Sequence, residues 1–338
     1  MIAPNFKRRL SGVTSTIARL VPLQARDIAI AATGPGLPPD IPHVPLSRVL
    51  TMSRRGPSGP RVWHARRNVE MIGGLALRAL GKDLRLLFTS ASQRHHSGLT
   101  KALIRRMDAV VATSAKTAGY LDREATVILH GIDAAAFAPP PDRSALRARL
   151  GLPDGTLVGC YGRIRESKGT DLFVDAMVPL LRDRPEASAV VMGRAVEKHA
   201  AWERDLRARV PADVAARVLF KPEVPVTEMA AWYGALDLYV APQRWEGFGL
   251  TPLEAMACGV PVVATDVGAF SELLSPESGV IVPPGEAGAL GGAIAPLLDD
   301  ADRRGAMGAA ARARVEARFR LEDEAAALIA VYRSLIGS

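Results

Sequence analysis

The chain has 338 residues, 48% of them apolar, which suits two domains with buried cores and excludes a disordered or disulfide-stapled chain. No apolar run reaches the roughly 18 residues that a membrane-spanning helix needs, and the start, Met1 to Arg9, has no secretory-type apolar stretch. Two cysteines, Cys160 and Cys258, are too few for a disulfide framework or a structural zinc cage, and the protein reads as cytoplasmic. The net charge of +8 is unevenly spread: residues 1–150 hold 23 Lys and Arg against 9 Asp and Glu, a balance of +14, and the remainder carries −6. Beside the plain reading of a solvated Arg-rich surface, such asymmetry points the first half toward something anionic: nucleic acid, an anionic membrane face or an acidic substrate.

In chain order, Asp27–Ala32 reads as a short strand ending at Gly34-Pro35-Gly36, and Arg61–His64 as a second, followed by a helix over Glu70–Leu80. Leu84–Thr89 is a third strand, with a helix near Leu99–Met107, and Ala109–Thr113 and Ala125–Leu129 are further strands. Only Met1–Ala3 precede Pro4, so a first strand there is an abbreviated edge or the start is a late one. Pro139-Pro140-Pro141 can sustain neither helix nor ladder and reads as a linker.

Beyond it come helix Ser144–Leu150, strand Leu157–Gly162, helix Thr170–Leu181, strand Ala189–Met192, helix Trp202–Arg209, strand Val218–Phe220 and helix Val226–Leu236. Strand Leu238–Ala241, helix Thr251–Ala257 and strand Val260–Ala264 follow, then Ala/Arg-rich helices near 286–298, 301–318 and 322–336. Short apolar strands alternating with helices predict parallel sheets covered on both faces. The expectation is α/β: two Rossmann-like domains, 1–140 and 141–320, facing a cleft, with a helix over 321–338 packing back on the first. Ligands in such sheets sit at the carboxyl ends of strands.

The most informative loop is Gln243-Arg244-Trp245-Glu246-Gly247-Phe248-Gly249-Leu250, between a strand and a helix that opens Thr251-Pro252-Leu253-Glu254. Gly247 and Gly249 permit close backbone approach to a ligand, and the helix start favours a phosphate. Glu246 and Glu254 stand eight positions apart. A second loop, Gly162-Arg163-Ile164-Arg165-Glu166-Ser167-Lys168-Gly169, also lies between strand and helix, where Arg offers a fork for phosphate oxygens and Lys a point charge.

Glu246-x7-Glu254 followed by Gly-Val-Pro-Val-Val-Ala-Thr resembles the signature of the retaining family 4 glycosyltransferases. His130-Gly131-Ile132-Asp133 with Phe137 and Pro139 resembles their interdomain segment, and Ser11-Gly12-Val13 their first-domain glycine loop. The resemblance implies the GT-B fold, a nucleotide-sugar donor, no metal, no cofactor and retention of anomeric configuration. It implies that Arg163 and Lys168 neutralise the donor diphosphate and that Glu246 meets the transferred sugar. Gly12, Gly162, Gly247, Phe248, Gly249, Leu250, Thr251 and Glu254 would line the donor, with Glu254 on the ribose.

Each residue also has a plainer reading. Thr251 to Glu254 is a good capping box with Pro at the first helical position. Glu246 is then a solvated loop acid, Arg163 and Lys168 surface charges, and Gly12 a turn glycine. Many relatives carry a histidine where this chain has Thr89 and Ser90, with His95 and His96 a few residues on. His96, Arg66 and Arg94 are candidates for sugar or acceptor contacts, or are simply basic surface.

Arginines in pairs or near loops, Arg8-Arg9, Arg54-Arg55, Arg66-Arg67 and Arg105-Arg106 among them, give the first half its positive surface, and its stretches Ala3-Pro4-Asn5-Phe6-Lys7-Arg8-Arg9-Leu10-Ser11-Gly12-Val13-Thr14-Ser15-Thr16 and Arg61-Val62-Trp63-His64-Ala65-Arg66-Arg67-Asn68 resemble those of the bacterial lipopolysaccharide core mannosyltransferases. That resemblance implies GDP-mannose as donor, an anionic Kdo or lipid A type acceptor and peripheral contact with the inner membrane. A UDP-glucose or UDP-galactose core transferase is the rival within the class. A nucleic-acid-binding protein is the rival outside it, against which stand 5% aromatics and the lack of any zinc or RNP-type motif. No Gly-x-Gly-x-x-Gly follows a strand, which disfavours a dinucleotide oxidoreductase. Asp300-Ala301-Asp302 lies in a polar turn, which disfavours a metal-dependent transferase.

Overall fold

Two sets of short apolar runs, each too narrow for a helix, form two all-parallel sheets in the computed structural model, which describes residues 1–8 and 12–337. In chain order the first set is β1 (Ile2–Pro4), α1 (Gly12–Gln24), β2 (Ala31–Thr33), α2 (Leu46–Thr51), β3 (Arg61–Ala65) and α3 (Asn68–Ala79). It continues with β4 (Leu84–Ser90), α4 (Gly98–Ile104), β5 (Ala109–Ala112), α5 (Ala115–Gly119) and β6 (Thr126–Val127). The second set opens with α6 (Arg143–Leu150), β7 (Thr156–Tyr161), α7 (Thr170–Asp183), β8 (Ala187–Met192), α8 (Ala200–Ala208), β9 (Val218–Lys221) and α9 (Met229–Gly234). It closes with β10 (Leu238–Ala241), α10 (Thr251–Ala257), β11 (Val262–Thr265), α11 (Phe270–Leu273), β12 (Gly279–Val282), α12 (Ala287–Asp299) and α13 (Ala301–Arg318). A last helix, α14 (Leu321–Ile336), belongs to the first unit again.

The chain divides after Gly131 and again after Arg320. The division falls ahead of the three prolines, which lie inside the second unit, where the Pro139 ring rests on Gly259 and Pro140 on Gly234.

In the first unit the strand order is β2-β1-β3-β4-β5-β6. β1 is an interior strand rather than an edge, with Ile2 opposite both Ala31 of β2 and Trp63 of β3. Pro4 is tolerated because it ends the strand. The strand expected at Asp27–Ala32 is shorter, because the Asp27 and Ile28 N–H groups donate to the Gln24 carbonyl and finish α1. Helices α1 and α14 cover one face through Ile17, Leu20, Leu328 and Tyr332. Helices α2, α3 and α4 cover the other through Val49, Met71, Leu77 and Leu103.

In the second unit the order is β12-β11-β10-β7-β8-β9. The chain builds outward from β7 to β9, then returns to β7's other side with β10 and builds outward again. The sheet therefore has a switch point between β7 and β10, where parallel α/β sheets open a crevice at their carboxyl ends. The opposite end is tied by Asp237, which accepts the Leu157 N–H at 2.7 Å and pairs with Arg147 at 2.6 Å. The short α2, α5 and α11 and the edge strand β12 are elements the sequence reading did not anticipate.

Two buried polar clusters fasten α14 to the first unit. Glu324 accepts the Gly131 N–H at 2.8 Å and lies 2.7 Å from the His130 ring. Burial pushes its carboxyl up, but the His130 ring, the Gly131 N–H and Arg19 outweigh that and hold it below the ordinary value. His64, buried in β3, places Nδ1 2.8 Å from the Tyr332 hydroxyl and Nε2 2.6 Å from Thr89 Oγ1. Burial, then the Arg66 charge, depresses the His64 ring well below 6.5.

Below pH 6.5 the unfolded chain takes up a proton at His64 that the folded chain refuses. The His64 contribution to stability is therefore expected to be full above that pH and to decline as pH falls beneath it, added to a decline from about pH 8 that the Met1 amine causes, its pKa lowered by burial to about 6. Thermal unfolding from about pH 8 down to about pH 5, above the range in which Glu324 contributes, reads this; the Met1 amine and His96 contribute in the same window, and His64→Asn is expected to make the decline below pH 6.5 shallower.

Candidate active site

The loops that leave β7 and β10 stand side by side at the switch point. Between them they hold Gly162, Arg163, Lys168, Glu246 and the glycines singled out from sequence. Gly162 and Arg163 are exposed, and among the described residues no acid pairs with Arg163. The β7 loop then closes in a 3-10 turn over Glu166–Lys168 and ends at Gly169. Gly169 has φ +69°, and a Cβ there would lie 1.8 Å from the Pro242 carbonyl oxygen at the end of β10. Only glycine lets the two loops come that close.

Arg244 bolts them together. Its guanidinium donates to both Asp171 carboxylate oxygens at 2.7 Å and to the Glu166 carbonyl at 2.6 Å, and its N–H donates to the Ser167 carbonyl at 3.2 Å. The hydrogen bonds to Asp171 raise the Arg244 pKa above its ordinary value. The arrangement brings Lys168 onto Glu246: the ammonium donates to Oε2, while Oε1 accepts the Gly247 N–H at 3.0 Å. Both side chains are half-buried, so a cation and an anion face one another at the mouth of the crevice.

The glycine loop is backed by the protein rather than open on both sides. Gly249, at φ +89°, lies against the Phe270 ring and the Glu246 stem, and Phe248 is buried with its carbonyl accepting the Ala269 N–H at 3.0 Å. The capping box that is the plainer reading of Thr251 to Glu254 does not form. The N-cap of α10 is Leu250, with no side-chain cap, and the Glu254 carboxylate instead accepts the Tyr233 hydroxyl at 2.7 Å. Tyr233 belongs to a buried trio with Tyr161 and Tyr239, their ring centroids 5.1–5.8 Å apart, which forms a rigid floor beneath α10. Burial, then the Glu254 charge, raises the Tyr233 phenol well above its ordinary range, so it stays a donor to that carboxylate. Cys160 and Cys258 are free, buried and each pushed up to about 12 by burial, so both are inert thiols.

The first-unit candidates also stand at strand ends. Gly12 opens α1 with open space around it, while Arg9 and Ser11 lie outside the described residues. Arg66 follows β3, its N–H held by Glu70 at 2.8 Å and its guanidinium donating to the His64 carbonyl at 3.3 Å. Arg67, counted with the basic surface, is a structural residue: it donates to Asn5 at 2.9 Å and to buried Glu70 at 2.7 Å. Arg94 is exposed, and His96 Nε2 lies 3.4 Å from Ser90 Oγ at the end of β4. His95 turns instead to the Tyr120 ring. Partial burial, then Arg94, lowers the His96 pKa. Among the described residues no group of three His, Cys, Asp or Glu side chains is set to hold a metal ion.

Solved structures share this architecture over nearly the whole chain. The Anabaena protein Alr3699/HepE in complex with UDP superposes with a TM-score of 0.84 at 19% identity, over 98% of this chain and 99% of that one. The sucrose-phosphate synthase of Thermosynechococcus elongatus gives 0.80 at 23% identity, over 99% and 98%. Two doubly wound parallel sheets in this arrangement define the GT-B fold of glycosyltransferases. Residues 155–300 match the family model for group 1 glycosyl transferases. The chain is 55% identical to the lipopolysaccharide core biosynthesis mannosyltransferase LpsB of Rhizobium meliloti (strain 1021), over 99% of this chain and 97% of that one. It is 52% identical to LpcC of Rhizobium leguminosarum bv. viciae, described in the same words, over 100% and 97%. The chain belongs to the group 1 glycosyltransferase family, and it is an enzyme.

Arg244→Lys keeps the charge and loses the fork, and Asp171→Asn loses its partner. Each is expected to lower stability by about 1–3 kcal/mol, the range for a charged hydrogen-bonded pair, read as a shift of the urea midpoint.

Proposed function

We propose that this enzyme transfers mannose from GDP-mannose, with retention of configuration and without a metal, to an anionic lipid-linked acceptor, the inner-core Kdo of lipopolysaccharide. The observation that carries the reading is whole-length identity above 50% to two relatives named as lipopolysaccharide core mannosyltransferases. The reading places the enzyme on the cytoplasmic side of the inner membrane, as a peripheral protein. Among the described residues no helix is long and apolar enough to cross a membrane.

The chemistry follows from charges at the switch point. As the sugar–phosphate bond breaks, positive charge grows at the anomeric carbon and negative charge on the leaving diphosphate. Arg163, exposed and without an acid partner among the described residues, is available to phosphate oxygens. Lys168 would exchange Glu246 for the diphosphate. Glu246, freed of Lys168, would hold sugar hydroxyls and favour the cationic centre. This is electrostatic stabilisation of the transition state by preorganised groups. The departing phosphate takes the acceptor proton, so no protein nucleophile is needed. Glu254, already accepting from Tyr233, would turn its remaining lone pairs to the ribose. The acceptor falls to the first unit, where Arg66, Arg94 and His96 stand at strand ends.

Calorimetry with GDP-mannose and UDP-glucose, in EDTA, tests the donor. GDP-mannose is expected to bind, and Arg163→Ala to weaken it by about 10- to 100-fold, the value of a charged hydrogen bond. Binding of UDP-glucose alone would keep the mechanism and remove the mannosyl assignment. Glu246→Gln is expected to cut kcat by about 100-fold or more while GDP binds as well as, or better than, to the wild type, because Lys168 is no longer engaged. A weaker GDP complex in that variant would overturn the exchange.

A further inference from the structure

We infer that the outer face of the α2–α3–α4 layer is a docking surface for an anionic phospholipid bilayer, an inference that rests on the lipid-linked acceptor proposed above. These three helices lie on one side of the first sheet and share one core through Val49, Met71, Leu77, Leu103 and Ile104. Their opposite sides face solvent, and there the usual pattern is reversed. A surface helix ordinarily turns polar residues outward. α3 instead exposes Val69, Ile72 and Ala76 along one stripe, continued by Leu80 at its C-cap, which is 72% exposed. α2 exposes Leu46 and Leu50 one turn apart, and Leu99, 63% exposed, opens α4. Six of the ten exposed large apolar side chains among the described residues lie in this one layer.

Charge selects the partner. Residues 44–107 hold 13 Lys and Arg against two acids, Glu70 and Asp83. Both acids are engaged: Glu70 is buried against Arg67, and Asp83 pairs with Arg55. Arg48, Arg54, Arg105 and Arg106 are exposed, and among the described residues no acid pairs with them. Arg78 and Lys101 of the same layer pair with Asp108 and Asp122, which leaves those four arginines to act outward. Aliphatic side chains flanked by such unpaired cations suit a bilayer interface, where the former enter the acyl boundary and the latter meet lipid phosphates. Single-stranded nucleic acid would be met by aromatic stacking platforms, and here the exposed apolar groups are aliphatic. Val69 and Leu99 begin the helices that follow Arg66 and His96, so the candidate acceptor loops border this face. A lipid-linked acceptor would then be met at the level of its headgroup.

Cosedimentation with vesicles tests this, comparing pure phosphatidylcholine with phosphatidylcholine containing about one-third phosphatidylglycerol. Partition into the anionic vesicles is expected to be stronger by about tenfold or more and to fall with salt. The triple variant Val69→Ser, Ile72→Ser, Leu80→Ser is expected to lose about tenfold while its melting temperature and nucleotide-sugar binding stay unchanged. Arg48→Glu with Arg54→Glu, at two exposed positions, provides a second variant with the same expected loss. Equal partition into both vesicles, no partition, or partition indifferent to both variants overturns the docking face. So does a wild type that binds arbitrary single-stranded DNA more tightly than the vesicles. Failure of every nucleotide sugar to bind the wild type would overturn the donor reading alone and leave the vesicle result to be judged by itself.

Discussion

Parallel strands cannot share a turn, so the loops that follow β7 and β10 reach the same crevice with no short covalent link between them. Everything proposed for the second unit depends on holding those two loops in register. Arg244 does so with a two-pronged bond to Asp171 and a third bond to the Glu166 carbonyl, and Gly169 removes the one atom that would keep the loops apart. Lys168 and Glu246 meet because of this clamp. Their opposition also avoids an electrostatic cost: a lone half-buried carboxylate or ammonium would be expensive, and each serves as the other's counter-ion. The tyrosine trio beneath α10 gives Glu254 the same kind of support from below.

The first unit uses buried polar groups differently. Glu324 and Tyr332 reach from α14 to His130 and His64, so the helix is held by directional bonds as well as by Leu328 and Ile329. Apolar contact alone would tolerate a helix sliding by a turn; a carboxylate that must meet both a ring nitrogen and the Gly131 N–H has one register. Thr89, at a place where relatives were expected to carry a histidine, has a histidine as its hydrogen-bond partner, supplied by the neighbouring strand at His64.

Much of this was legible beforehand, and what was not has a common cause. Apolar runs such as Leu157–Tyr161 and Leu238–Ala241 announce buried parallel strands, and the glycines and charges of the two loops mark the segments that meet at the switch point. The order of strands places those loops together, but the clamp that joins them was invisible, because Arg244 and Asp171 are 73 positions apart. Thr251 to Glu254 satisfies every local rule for a capping box and still forms none, because Tyr233 claims the carboxylate from another helix. The strand read at Asp27–Ala32 begins only at Ala31, because the apolar run Ile28–Ala32 does not reveal that the Asp27 and Ile28 N–H groups close α1. Local pattern predicts local structure; a side chain's partner across the fold is settled by topology.

The return of α14 to the first unit has a consequence for biosynthesis. Sheet β2-β1-β3-β4-β5-β6 leaves the ribosome first, yet the helix that covers Ile17, Leu20 and Val111 is made only after the entire second unit. At typical synthesis rates that face waits roughly 10–40 seconds for its second helix. During that interval the apolar face of the parallel sheet has α1 alone to cover it, and neither Tyr332, which bonds His64, nor Glu324, which bonds His130, has been made. The first unit, begun before the second, is thus finished after it, and a chaperone that shields this face would act until α14 is made.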